Sequence, residues 1–331
     1  MLGIETSCDD TAASVVIGGR PVSSIVSSQD VHRAFGGVVP ELASRDHQRL
    51  VMPVVRQALG EAGVSIEAVQ AIAVTYGPGL AGSLLVGLSF AKAIAWARGL
   101  PLVGVNHLEG HLFSLFIEEP HPPFPFLCLV VSGGHTQIVL VGQDFRYDTL
   151  GQTRDDAAGE AFDKVGKLLG LPYPAGPHVD RLATAGDPSF VRFPRTHLPG
   201  FDFSFSGIKT AVLYHLHAMN AADRPVRIEH ERADLCASFQ AAVVDMLVRG
   251  VDRACTHTGV TTLGVVGGVS ANSALRAALE RLATRRGLTL FIPESRWCTD
   301  NAAMIAVAGY HRARLGHVSP LTLTAEPALV L

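Results

Sequence analysis

The chain has 331 residues, of which 48% are hydrophobic and 17% charged, with a formal net charge of −3. That length suits two domains or one large two-lobed unit. The weak acidic balance excludes a nucleic-acid binder that works by global charge, so any such contact needs a local patch or a partner. Five cysteines (Cys8, Cys128, Cys236, Cys255, Cys298) form an odd set with no C-x-x-C pair. They argue against a disulfide framework or a cysteine zinc site and for a reducing cytoplasm. The N-terminus reaches Glu5, Asp9 and Asp10 with no basic segment before them, which does not read as a signal peptide.

Residues 2–6 and 13–17 read as short apolar strands around the polar turn Ser7-Cys8-Asp9-Asp10, with polar and helical stretches following through Gly60. Residues 71–75 read as a strand, Gly77-Pro78-Gly79 as its turn and 80–98 as a buried helix. The uncharged run 71–91 is broken by Gly77, Pro78, Gly79, Gly82 and Gly87, so it is not a membrane span. Residues 102–105 form a strand that delivers His107 into the next helix, which is the logic of parallel βαβ units. A second hairpin, 127–132 and 137–141 around Gly133-Gly134-His135, repeats the first at the head of the other half and indicates a duplicated unit. Then come a helix over 151–171, a turn over 173–177, a loop rich in Phe and Pro over 188–206, and a long amphipathic helix over 233–254. Strand 262–266, helix 272–286, strand 288–292 and helix 301–315 complete an α/β chain of two lobes.

Two features carry chemistry. His107 and His111 lie four apart, so on a helix they share one face with Cβ atoms roughly 5–6 Å apart and can ligate one metal ion. Glu109 is not at the H-E-x-x-H position of a zinc protease and points away from that face. A third ligand must come from afar. Asp300 is the leading candidate, its alternative role being a helix N-cap. The second feature is three glycine turns at strand ends, Gly77-Pro78-Gly79, Gly133-Gly134 and Gly267-Gly268, where backbone N–H groups can approach an anion. Neither the P-loop pattern nor G-x-G-x-x-G is present, which excludes a Walker NTPase and a Rossmann dehydrogenase.

Nine segments in order resemble one family. They are residues 3–9 (GIETSCD), 36–47 (GGVVPELASRDH), 77–80 (GPGL), 107–111 (HLEGH), 131–137 (VSGGHTQ), 155–164 (DDAAGEAFDK), 203–210 (FSFSGIKT), 267–272 (GGVSAN) and 298–301 (CTDN). The chain closely resembles the bacterial tRNA N6-adenosine threonylcarbamoyltransferase catalytic subunits, the TsaD or Gcp family. Asp10 stands where many bacterial members carry Glu, which keeps the charge and shortens the reach.

The resemblance implies an actin/Hsp70/sugar-kinase-like (ASKHA) fold: two related lobes with a nucleotide cleft, divided as 1–105 plus 303–331 and 106–302, with a mainly helical insertion near 150–235. It implies an acyltransferase that moves a threonylcarbamoyl group from threonylcarbamoyl-AMP to N6 of the adenosine 3′ of the anticodon, in tRNAs reading A-starting codons, with release of AMP. It further implies one divalent ion, iron before zinc, on His107, His111 and Asp300, and an adenylate or ATP held by Val130, Val131, Ser132, Gly133, Gly134, Asp163, Gly176 and Asn272. Asp9, Ser132, His107 and His111 are the expected catalytic groups. Expected partners are tRNA, a TsaB-like paralogue and a TsaE-like small ATPase, with no membrane. Arg45, Arg192, Arg195, His197 and Lys209 are candidates for a basic tRNA rim, whereas Arg276, Arg281, Arg285 and Arg286 read as a solvated helix face. A metalloprotease, a small-molecule kinase on the same fold and a non-catalytic scaffold are the rival readings. Glu109's spacing disfavours the first, the histidine pair the second, and the intact His107/His111/Asp300 set the third.

Overall fold

In the computed structural model, which describes all 331 residues, each half builds a five-stranded sheet. β1 (Leu2–Glu5) is buried along its whole length, so it sits centrally and reads as an unbroken apolar run ending in one carboxylate. β2 (Asp10–Ile17) returns antiparallel to it, and β3 (Arg20–Ser28) returns again as an edge strand. α1 (Pro40–Glu61) leads to β4 (Ile72–Gly77), which pairs parallel with β1. α2 (Ala81–Arg98) crosses over to β5 (Leu102–Asn106), parallel to β4, and α3 (His107–Phe113) follows at once.

The second half repeats this path. β6 (Phe126–Val131), β7 (Thr136–Val141) and β8 (Tyr147–Gln152) form an antiparallel meander. Four helices follow: α4 (Ala158–Leu168), α5 (Gly176–Ala183), α6 (Ser206–His217) and α7 (Arg224–Thr258). β9 (Thr262–Val266) pairs parallel with β6, α8 (Ser273–Arg286) crosses over, and β10 (Thr289–Phe291) pairs parallel with β9. The strand orders β3-β2-β1-β4-β5 and β8-β7-β6-β9-β10 are therefore the same topology used twice. The chain ends with α9 (Ser295–Cys298), α10 (Ala302–Arg314) and a tail.

Packing divides the chain into Met1–His121 with Pro293–Leu331, and Pro122–Ile292. The divisions expected after residues 105 and 302 would have separated α3 and Asp300 from the first sheet. In the structure α3 lies against α10, which itself packs on β1, β2 and β4, so both histidines and Asp300 belong to the first unit. Each unit has its own core, one around Leu2, Ile4, Val74 and Leu88, the other around Leu129, Phe162, Phe239 and Val265.

Several elements differ from the sequence reading. β3 was absent from it because the inward positions of β3 are Ser23 and Ile25 while Val22 and Val26 face outward, which scrambles the apolar alternation. The helix expected over 151–171 begins only at Ala158, since 147–152 is the polar edge strand β8. α5 and α6 had no individual assignment, though both lie within the mainly helical insertion expected near 150–235. α7 starts well before residue 233 because its first turns (Arg224, Arg227, Glu229, His230) carry too little apolar periodicity to register. Residues 188–205 are irregular, as expected.

Candidate metal centre

The histidine pair is delivered by a short helix locked at both faces. Asn106 ends β5 and caps α3, its Oδ1 accepting the Leu108 amide at 2.8 Å. Every residue of α3 is buried, and Gly110, between the histidines, lets it press on α10, where a Cβ would meet Ile305 at 2.6 Å. On the α10 side the capping role falls to Asn301, whose Oδ1 accepts the Met304 amide at 3.0 Å. Asn301 rather than Asp300 is therefore the helix cap, and Asp300 faces the histidines.

His111 Nε2 lies 3.3 Å and His107 Nε2 3.6 Å from Asp300 Oδ1, and the ligand atoms of all three residues lie within 4.8 Å of one another. The two rings are 4.7 Å apart and meet edge to face. Donor atoms bound to one ion at about 2.0–2.2 Å sit roughly 3.4 Å apart when the site is tetrahedral, so these separations suit a single divalent ion. The buried His111 nitrogens make no hydrogen bond, an arrangement that costs free energy unless something else occupies them. Two imidazoles and a carboxylate suit iron or zinc, and three protein ligands leave a position for substrate.

Behind His107 stands Glu5. Its Oε2 is 3.1 Å from His107 Nδ1 and accepts the Thr75 hydroxyl at 2.5 Å, while its Oε1 accepts the Ser7 amide. Ser7 Oγ is also 3.1 Å from the same ring nitrogen. Burial alone would raise the Glu5 carboxyl, but His107 and Thr75 hold it below the usual range. Burial would likewise lower His107, yet the Asp300 and Glu5 carboxylates outweigh it and lift the imidazole to about 9. A cation at this spot displaces a proton that the carboxylates otherwise retain. Glu109 is turned away: its buried carboxylate pairs with Arg312 at 2.8 Å, consistent with its spacing and leaving no general base of the zinc-protease kind at that position.

The β1–β2 turn lies beside these groups. His47, from α1, pins it by bonding the Cys8 carbonyl through Nε2 at 2.9 Å and Thr11 Oγ1 through Nδ1 at 2.8 Å. Asp9 accepts the Gln29 amide through its carbonyl, and its side chain is half-buried. Burial, with repulsion from Asp300, Asp9 and Glu5, pushes Asp10 up to about 7 against the hydrogen bond from Ser28. Burial also pushes the Cys8 thiol up, which disfavours it as a thiolate nucleophile.

In the second unit, the β6–β7 turn closes on itself. Ser132 N donates to the His135 carbonyl at 2.8 Å, and Ser132 Oγ accepts the His135 amide at 3.2 Å. A Cβ on Gly133 or Gly134 would meet nothing within 4 Å, so this loop borders open space. The other two glycine turns are filled by the chain itself. A Cβ on Gly77 would overlap the Glu326 carbonyl, and one on Gly79 would approach the Ser7 carbonyl at 2.6 Å. At Gly267 (φ 91°) a Cβ would come within 2.5 Å of the Val131 carbonyl. The expectation of three phosphate-type turns therefore reduces to one open loop, because Gly77, Gly79 and Gly267 serve close chain–chain approach.

The remaining expected contacts have structural duties. Val130 and Val131 are fully buried in β6, and the backbone of Val130 is paired on both sides, so its side chain lines no surface. Asp163 Oδ1 accepts the Ala175 amide at 2.7 Å and so places Gly176 at the start of α5. Asn272 caps α8 through Leu275 N at 2.9 Å and donates to Gln240 at 2.8 Å, which uses both ends of its amide. Among the basic candidates, Arg45 pairs with Glu41 and Arg195 with Asp245, while Arg285 and Arg286 pair with Asp252. Glu5, Thr75 and His47 were missed as site residues; the signal available was a single carboxylate closing the otherwise apolar strand Leu2–Glu5.

No helix is long and apolar enough to cross a membrane. Solved structures share the architecture: component A of (R)-2-hydroxyglutaryl-CoA dehydratase from Acidaminococcus fermentans aligns with a TM-score of 0.57 at 14% identity, covering 95% of this chain and 98% of that one. This likeness shows an actin/Hsp70-like (ASKHA) fold of two related units. The tRNA N6-adenosine threonylcarbamoyltransferase of Salinibacter ruber is 58% identical over 100% of this chain and 99% of its own. The protein of that name from Pelobacter propionicus is 55% identical over 98% of this chain and 95% of its own. The sequence profile described as TsaD, tRNA N6-adenosine threonylcarbamoyltransferase, matches residues 21–307. With that coverage, and with His107, His111 and Asp300 brought together, the chain belongs to the TsaD family of tRNA N6-adenosine threonylcarbamoyltransferases.

Proposed function

We propose that this protein transfers the threonylcarbamoyl group of threonylcarbamoyl-AMP to N6 of the adenosine 3′ of the anticodon, in tRNAs reading A-starting codons, and releases AMP. The observation that carries the reading is the His107–His111–Asp300 cluster in a chain whose family membership extends over nearly its whole length. His107, His111 and Asp300 would hold one divalent ion, iron before zinc. Bound there, such an ion supplies Lewis-acid stabilisation of negative charge on a substrate oxygen.

The exocyclic amine of adenosine is a weak nucleophile, so the chain's own contribution is positioning and leaving-group stabilisation. In the open Ser132-Gly133-Gly134 loop the Gly133 and Gly134 main-chain amides serve the adenylate phosphate, whether of the substrate or of ATP, while the Ser132 amide is taken by the His135 carbonyl. Ser132 acts here by closing that loop. Asp163 supplies a carboxylate acceptor for a ribose hydroxyl while it holds Ala175 and Gly176 in place. Asn272 keeps the β9–α8 junction in shape. Asp9 orients the acceptor from the pinned β1–β2 turn. The reading extends to a TsaB-like paralogue and a TsaE-like small ATPase as partners, and to the cytoplasm, where unpaired cysteines persist.

The test is a nucleoside mass spectrum. Unmodified tRNA is incubated with threonylcarbamoyl-AMP, this protein and its partners, then digested. The expected result is a threonylcarbamoyladenosine peak that disappears when this protein is omitted. No peak from folded, metal-loaded protein with active partners overturns the reading.

A further inference from the structure

The donors around Glu5 all point the same way. The Ser7 N–H, which can only donate, donates to its carboxylate, and the Thr75 O–H donates to it as well. Glu5 is completely buried, at the end of a central strand, and is not among the three residues that could ligate an ion. Its Oε2 faces His107 Nδ1 at 3.1 Å, and the opposite nitrogen of the same ring, Nε2, faces Asp300 Oδ1 at 3.6 Å. An imidazole that donates through Nδ1 keeps Nε2 as its ligating atom.

We propose that Glu5 is the positioning residue of the metal centre, holding His107 as the Nδ1–H tautomer with Nε2 directed at the position shared with His111 and Asp300. The inference rests on the metal reading above and deepens it. Thr75 is the support of this arrangement: its hydroxyl shares Oε2 with the His107 ring and fixes the carboxylate's rotation. Ser7 supports it from the other side, through the amide to Oε1 and the hydroxyl beside Nδ1. An amide in place of the carboxylate presents N–H groups to one or other of these donors. Where the N–H faces the ring, Nδ1 becomes an acceptor and the ring proton moves to Nε2, which then cannot ligate. A carboxylate–histidine–metal relay of this kind is worth 10- to 100-fold in metal affinity.

The experiment is a Co2+ titration of the full chain, read by visible absorption and by equilibrium dialysis, with thermal melting of each metal-free variant alongside. His111→Ala is expected to remove the specific absorption band. Glu5→Gln is expected to weaken Co2+ binding by about 10- to 100-fold while the folded fraction stays intact. Thr75→Val is expected to weaken it by about fivefold, the worth of one ordinary hydrogen bond. Wild-type affinity in folded Glu5→Gln protein overturns the positioning role. If Glu5→Gln does not fold, Thr75→Val decides, and wild-type affinity there overturns it equally. Absence of a band in the wild type, or an unchanged band in His111→Ala, fails the metal reading itself and is distinguishable from both.

Discussion

The two sheets follow one path, yet their first hairpins do different work. In the first unit the β1–β2 turn is crowded: Gly79 abuts Ser7, His47 ties Cys8 and Thr11, and the carboxylates of Glu5 and Asp300 converge on His107. In the second unit the β6–β7 turn closes through Ser132 and leaves Gly133 and Gly134 facing open space. A repeated topology thus supports two chemistries. Side-chain ligands demand buried, mutually braced elements, whereas an anion needs only main-chain N–H groups with nothing in front of them. The contrast explains why Glu5, Asp10 and His107, with their shifted pKa values, gather around β1 and its turn, and why glycine rather than a charged residue marks the matching turn after β6.

Four substitutions break or sharpen that contrast. The largest effect is expected from His111→Ala, which removes a ligand from a buried site: metal content by elemental analysis should fall to background and tRNA transfer should cease, with the circular dichroism spectrum retained. Arg312→Ala removes the cation that pairs with the buried Glu109 carboxylate. It should destabilise the protein by on the order of 3 kcal/mol, read from chemical denaturation. In the second unit, Gly133→Ala should leave the melting temperature unchanged, because its Cβ meets nothing. It should weaken AMP binding by about tenfold in calorimetry if the loop amides hold the phosphate. Gly79→Ala, at φ 156° and against Ser7, should do the reverse and lower stability.

The smallest effect is a pH dependence. Burial holds His47 below its usual pKa, so the unfolded chain binds more protons there than the folded one as the pH drops. Stability from this group is fully present above about 6.5 and is lost as the pH falls through the lower folded value. His47→Gln should flatten the acid side of the stability curve between those points, measured by urea unfolding at a series of pH values.

Local patterns in the chain carried much of this. The βαβ logic leading into His107 and the i, i+4 histidine pair depend on neighbours in sequence, and both are found as expected. The long irregular stretch over 188–205 was legible for the same reason. β3 was not, because Ser23 occupies an inward position and bonds the Val15 amide, so a polar residue does an apolar residue's job. Asp300 stood between cap and ligand because capping positions cannot be located to within one residue from sequence; only the Asn301–Met304 bond separates the roles.

By itself the sequence determined the family, the strand–turn–strand units at the head of each half and the residue types able to hold a metal ion. The tertiary structure alone decided which glycine turn is open, since Gly77 and Gly79 are filled by Glu326 and Ser7, segments that no local pattern connects. It also decided that Glu5 stands behind His107 and that Arg312 takes Glu109 away from the site. The physical reason is common to all three. Excluded volume and the pairing of buried charge act between groups distant in sequence, and they acquire direction only once the core has placed those groups side by side.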